Sequence, residues 1–172
     1  MDYKLEQIID NDDRHSLIDL YNSIPSSVAH QDYNLYKVDK RPLRSGDQIS
    51  AIKKIEQYAN KKTYSHYFVM YEPGSYTRMH TDNDDDVGLT IVTLIDTVNL
   101  VGGETIVQLP APKDQKIGYQ KGEDHKGRVV PKIVRMVEGD SVIYDRSLLH
   151  GVTQVELGKR LVLVSWFKRD GQ

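Results

Sequence analysis

The chain changes its hydrophobic rhythm near residue 63. Before that point apolar residues recur every three or four positions: Leu17, Leu20, Tyr21 and Ile24 in "DDRHSLIDLYNSIP", then Ile49, Ile52, Ile55 and Tyr58 in "DQISAIKKIEQYANKK". That spacing puts each set on one face of an amphipathic helix. Acids open the first helix and Pro25 closes it; the second is expected to begin near Ser45 or Asp47, with its lysines on the solvated face. From Thr63 onward short β-branched and aromatic runs alternate with Gly, Pro and Asp, the pattern of strands and turns. Strands are expected near "YSHYFVMYE", "GLTIVTLID", "GETIVQL", "KIVRMVE", "DSVIYDRS", "HGVTQV" and "RLVLVSWFK".

Seven or eight short strands after two helices predict a mainly β fold, an antiparallel sandwich or jelly-roll barrel with helices on one outer face. One domain over 1–172 is expected, with 1–62 as helical support and 63–172 as the β core. Residues 111–131, "APKDQKIGYQKGEDHKGRVVP", break the rhythm and read as a long loop, either disordered or a lid.

Composition removes several function classes. With 23 basic and 25 acidic residues the net charge is −2, which gives no basic field for a nucleic acid without excluding one as substrate. The absence of cysteine excludes a disulfide scaffold, a thiolate zinc site and a Cys nucleophile, so a metal would be held by nitrogen and oxygen. The start "MDYKLEQIIDNDD" has acids where a signal peptide needs positive charge, and no stretch suits a membrane span, so a soluble cytoplasmic protein is expected. The motifs of serine hydrolases, P-loop enzymes, zincins and Rossmann dehydrogenases are missing.

Candidate chemistry concentrates in "HTDNDDDVG", residues 80–88. Asp82, Asp84 and Asp86 meet the first spacing condition of an EF-hand loop, but Val87 at its sixth position and Thr93 at its twelfth do not. His80 and Asp82, two apart at a strand end, would project from one face and can share a metal. His150, after "GDSVIYDRSLL", is the candidate third ligand: two His and one carboxylate form the facial triad that leaves positions open on iron(II). It is expected to precede a hairpin, "GVTQVELGKRLVLVSWF", turning near Leu157 and Gly158. His15, His30, His66 and His125 read as ordinary surface or packed histidines.

Arg160 opens the last strand and shares a face with Val162, Val164 and Trp166. A guanidinium on an apolar face is costly unless it meets an anion such as a ligand carboxylate; the alternatives are a protein acid or access to solvent. Arg78, two before His80, would lie on the same face as that histidine. It is expected to pair with one of Asp84 to Asp86, the alternative being an anionic group on a substrate. Lys37, Lys40, Arg41 and Arg44 form a basic cluster that reads as solvated surface, although "NLYKVDKRPLRSGD" is also a candidate substrate-contacting segment.

Three stretches, in order, resemble the 2-oxoglutarate- and iron(II)-dependent dioxygenases, prolyl-4-hydroxylase branch. They are "YEPGSYTRMHTD" with its H-x-D; "GGET" from Gly102 to Thr105; and "HGVTQVELGKRLVLVSWF", with a basic residue ten after the histidine and a tryptophan six beyond. The resemblance implies a double-stranded β-helix of the jelly-roll or cupin-like kind. It implies iron(II) bound by His80, Asp82 and His150, and 2-oxoglutarate bound by Arg160 with the hydroxyls of Tyr71 and Thr105. Trp166 would form part of the pocket wall. The implied reaction is hydroxylation of a C–H bond with O₂, coupled to conversion of 2-oxoglutarate to succinate and CO₂, with ascorbate a candidate auxiliary.

A prolyl residue of a protein or peptide is the first substrate class by resemblance, a free amino acid or small metabolite the second, an alkylated nucleic-acid base the third. The rival is a non-catalytic jelly-roll module that keeps a metal. Three positions depart from the prolyl-hydroxylase pattern, the Arg78 already described among them. Arg160 stands where lysine is typical, and Thr77 where an aromatic precedes the first ligand by three, with Tyr76 one position earlier.

Overall fold

The computed structural model describes residues 3–26, 33–82, 84–110 and 129–171. The elements are β1 (Lys4–Gln7), α1 (Asn11–Ser23), β2 (Leu35–Tyr36), β3 (Asp39–Pro42), α2 (Ser50–Ala59), β4 (Thr63–Tyr71), β5 (Tyr76–His80), β6 (Val87–Gly102), β7 (Thr105–Pro110), β8 (Val129–Val134), β9 (Asp140–Asp145), β10 (Leu149–Val152) and β11 (Val155–Lys168). They form a six-stranded sheet, β1-β9-β6-β11-β4-β3, and a five-stranded sheet, β2-β5-β10-β7-β8. All pairings are antiparallel. The expected jelly-roll core with helices on one face is therefore present, with more strands than the periodicity predicted.

Alternation in the six-stranded sheet separates two cores. Phe68, Ile91, Ile95, Leu161, Leu163 and Phe167 face the helices and pack with Leu17, Tyr21, Ile52 and Ile55. Each such side chain, fully buried, contributes about 1.5–3 kcal/mol. The opposite face carries Tyr67, Val69 and Tyr71 on β4 and Arg160, Val162 and Val164 on β11, paired in register as Tyr71 with Arg160, Val69 with Val162 and Tyr67 with Val164. This inner face looks onto the second sheet, where Val107 and Val134 pack with Val142 and Tyr144.

Helix α1 begins with a capping box, Asp10 and Asp13 each accepting a backbone N–H, and Asp13 also pairs with Lys54 of α2 at 2.6 Å. Helix α2 starts at Ser50, later than expected, because the Asp47 carboxylate is bonded to the backbone and guanidinium of Arg44. Its buried stripe is Ala51, Ile52 and Ile55; Tyr58, expected on that stripe, is 42% exposed near the helix end.

The hairpin expected after His150 does not occur. Strand β11 runs unbroken from Val155 to Lys168, and the chain changes sheets at residues 153–154: β10 pairs with β5 and β7, β11 with β4 and β6. Gly158 stands opposite a bulge in β6, facing both Asn99 and Leu100. Its φ is +78°, and a Cβ there would lie 2.1 Å from the Val98 carbonyl oxygen, so the long β6–β11 ladder admits only glycine. Residues before 63 also contribute the strands β1, β2 and β3, which sit at sheet edges. Segment 129–131, read as loop, lies in β8. Residues 111–128, His30, Asn83 and His125 lie outside the described residues. Among those described, no helix is long and apolar enough to cross a membrane.

Candidate metal centre

Strands β5 and β10 put His80 and His150 directly opposite each other, with ring centroids 4.4 Å apart. Each ring makes the same local hydrogen bond. His80 Nδ1 lies 2.7 Å from the Arg78 carbonyl oxygen and His150 Nδ1 lies 2.9 Å from that of Leu148. A carbonyl can only accept, so Nδ1 carries the hydrogen in both rings and the Nε2 lone pairs are turned to the same point. Both Nε2 atoms are 3.5 Å from Asp82 Oδ1.

Asp82 lies just past the end of β5, so it is held by more than strand geometry. Its backbone N–H donates to the Arg146 carbonyl, and its Oδ2 accepts from the Thr90 hydroxyl at 2.6 Å. Oδ1 is thereby left for the histidines. Burial pushes the Asp82 carboxyl up, but His150 and His80 beside it and the hydrogen bond from Thr90 outweigh it and hold the group well below the usual carboxylate range. One nitrogen each from His80 and His150 and one oxygen from Asp82 lie within 4.8 Å of one another, a set that could hold a metal ion.

The same cavity, about 140 Å³, is lined by the triad, Tyr71, Thr105, Tyr144, Arg160 and Trp166, among others. That is room for several atoms of ligand, not a lone water. Arg160 is 3% exposed; Nη2 donates to Thr105 Oγ1 at 2.7 Å, while Nη1 is buried with no hydrogen-bond partner. No protein acid among the described residues pairs with it, and burial lowers its pKa. Tyr71 has its ring centroid 5.3 Å from this guanidinium and shares a 2.7 Å hydrogen bond between its hydroxyl and Thr77 Oγ1. Trp166 lines the wall, its Nε1 buried and also without a partner.

Tyr144, like Thr90, is a site residue that sequence reasoning missed. It is 2% exposed, its ring packs 4.5 Å from that of His150, and its hydroxyl opens on the cavity without a hydrogen bond to any described residue. Burial, with Asp82 and other tyrosines nearby, pushes its pKa well up, so it is a neutral donor. In "DSVIYD" nothing distinguishes it from a core aromatic.

The expected place and pairing of Arg78 are both overturned. His150 is opposite His80 but Val152 is opposite Thr77, so β5 carries one extra residue between them. This bulge turns Thr77 and His80 into the cavity and Arg78 out of it. Arg78 sits instead against Tyr33 and Tyr76, 5.3 and 5.4 Å from their ring centroids. Two of the three acids it was to meet have other partners: Asp84 accepts from the Tyr64 hydroxyl and Asp85 pairs with Arg146 at 3.3 Å. Arg41 and Arg44 of the basic cluster pair with Asp39 and Asp47. His15 is exposed and His66 is packed between Ser165 and Glu56, both apart from the site.

No family model and no curated protein sequence matches the chain. Solved structures do. A prolyl-4-hydroxylase from Pseudomonas putida is 18% identical with a TM-score of 0.67, covering 98% of this chain and 93% of that one. An oxidoreductase of the 2OG-Fe(II) oxygenase family from Burkholderia pseudomallei is 12% identical with a TM-score of 0.68, covering 96% and 84%. A viral collagen prolyl hydroxylase from Paramecium Bursaria Chlorella virus-1, solved with 2-oxoglutarate, is 15% identical with a TM-score of 0.65, covering 95% and 94%. At such identities what is shared is the fold, and by fold this chain resembles the prolyl-4-hydroxylases and other 2-oxoglutarate-Fe(II) oxygenases.

Proposed function

We propose that the protein is an iron(II)- and 2-oxoglutarate-dependent oxygenase that hydroxylates a C–H bond, with a prolyl residue of a peptide as the first substrate class to test. The observation that carries this reading is the pairing of two features in one cavity: three convergent ligand atoms, and a buried arginine with an unanswered N–H. Either alone has a bland explanation. Together they match a metal that needs open positions and a cosubstrate with a carboxylate at each end.

His80, Asp82 and His150 would hold the iron, presenting the two Nε2 atoms and Oδ1. Arg160, steadied by Thr105, would bind the far carboxylate of 2-oxoglutarate. The Tyr144 hydroxyl, placed beside His150, would donate to an oxygen of the same cosubstrate. Val69, Val92, Val142, Val162 and Val164 keep water from the space between. With these groups bound, one oxygen of O₂ would enter succinate and the other the substrate hydroxyl, with CO₂ released. The neighbours named as prolyl hydroxylases support the prolyl choice, and the collagen enzyme's bound 2-oxoglutarate supports the cosubstrate.

The test is succinate formation from 2-oxoglutarate with iron(II), O₂ and ascorbate, in the parent protein and in His80→Ala, Asp82→Ala and His150→Ala. Turnover confined to the parent is expected. Turnover that persists in all three variants, or none in the parent with any substrate, removes the reading. The same assay by mass spectrometry reports a gain of one oxygen on prolyl peptides.

A further inference from the structure

Beyond the metal ligands, Asp84 is the other carboxylate lining the cavity among the described residues. It is held in place by neutral donors: the Tyr64 hydroxyl on Oδ2 at 2.8 Å and the Asp86 backbone N–H on Oδ1 at 3.0 Å. No described Lys, Arg or His pairs with it; the adjacent Arg146 is engaged with Asp85 and with the Asp84 backbone carbonyl. A carboxylate has about four lone-pair sites, so two remain.

Asp84 stands at one end of an aromatic wall. Tyr64 is 6.1 Å from Trp166, and Trp166 is 5.5 Å from Tyr67 in an edge-on contact, ring centroid to ring centroid. The Tyr64 ring joins this wall because a bulge opposite Trp166 and Phe167 lies at residues 63–65 of β4. At the other end, Lys40 Nζ sits 4.2 Å over the Tyr67 ring. The wall therefore runs from a resident cation to an uncountered anion, with the buried, partnerless Trp166 Nε1 between them.

Resting on the oxygenase reading above, we propose that the Asp84 end of the cavity is a subsite for a protonated amine. The Asp84 carboxylate holds it beside the Tyr64 and Trp166 rings, so the substrate carries an ammonium group near the C–H bond that is oxidised. Aromatic faces and a carboxylate together are the chemistry that selects such cations. Lys40 repels the same group from the Tyr67 end, which fixes the direction in which a substrate lies.

The amine could belong to a small amino acid or to a basic residue beside a peptide proline, and matched pairs separate the two. Free L-proline is compared with N-acetyl-L-proline, and a lysine-proline peptide with its norleucine-proline counterpart. Binding is read from the fluorescence of Trp166, the single tryptophan of the chain, with manganese(II) and 2-oxoglutarate bound and without turnover. The charged member of at least one pair is expected to bind about tenfold tighter or more, and Asp84→Asn to abolish that preference. Equal binding within both pairs, or a preference that survives Asp84→Asn, overturns the subsite. Addition of 2-oxoglutarate alone serves as the control for the underlying reading: if it changes neither fluorescence nor succinate output, the oxygenase assignment fails and the subsite with it.

Discussion

His80 and His150 face each other across paired strands, and each donates its Nδ1 hydrogen to the carbonyl two residues before it. One backbone device, used twice, sets both tautomers. Loss of either ring should therefore lower manganese(II) or nickel(II) affinity by at least the roughly 10–100-fold that losing an outer-shell partner costs. Calorimetric titration of folded His80→Ala and His150→Ala measures it; affinity equal to the parent's would count against the site.

Thr90 belongs to a strand whose role is otherwise packing, yet its hydroxyl fixes the inactive oxygen of Asp82 at 2.6 Å. Thr90→Val keeps the shape and removes the bond. Metal affinity is expected to fall about 10–100-fold with the far-ultraviolet circular dichroism unchanged.

Arg160 is a stability liability in the free protein, a buried charge with one N–H unanswered. Arg160→Met should leave thermal stability unchanged or raise it by about 1–3 kcal/mol, some 2–10 °C in Tm, while 2-oxoglutarate binding is lost. The parent should gain Tm when 2-oxoglutarate is added and the variant should not. A variant that is less stable and still binds would contradict both roles.

Tyr144→Phe offers a sharper separation. The ring contact with His150 is preserved and no protein hydrogen bond is broken, so Tm should hardly move. If the hydroxyl donates to a cosubstrate oxygen, the Kd for 2-oxoglutarate rises about tenfold or more. An unchanged Kd would leave Tyr144 as packing alone.

His66 gives the expected pH dependence. Burial holds its pKa below the usual 6.5, against the pull of Glu56, so it stays neutral between the Ser165 hydroxyl and the Glu56 carboxylate. The unfolded chain takes up that proton first, so stability is full above pH 6.5 and declines as the pH falls below it. Denaturant titrations at pH 7.5 and 5.5 should show a larger loss in the parent than in His66→Gln. Equal losses would place the acid sensitivity elsewhere.

The chemistry was more legible in the sequence than the geometry that aims it. The H-x-D spacing of His80 and Asp82, the isolated His150 and the alternation that places Arg160 on β11 could all be read, and the structure brings all four to one cavity. The edge strands were hidden because "KLEQ" and "DKRP" have no buried alternation to reveal them. Gly158 looked like a turn because a glycine serves a turn or the place opposite a bulge equally well, and only the ladder with β6 decides. Tyr144 had no signal at all, since its role depends on a histidine brought to it by another sheet.

The extra residue in β5 has a further consequence. By shifting the strand's phase between Thr77 and His80, it assigns Arg78 and Met79 to the outer surface and leaves their neighbours to the cavity. Substitutions at those two positions can then reshape what the molecule presents to its surroundings while the cavity keeps its form, two separately variable surfaces carried on five residues of one strand.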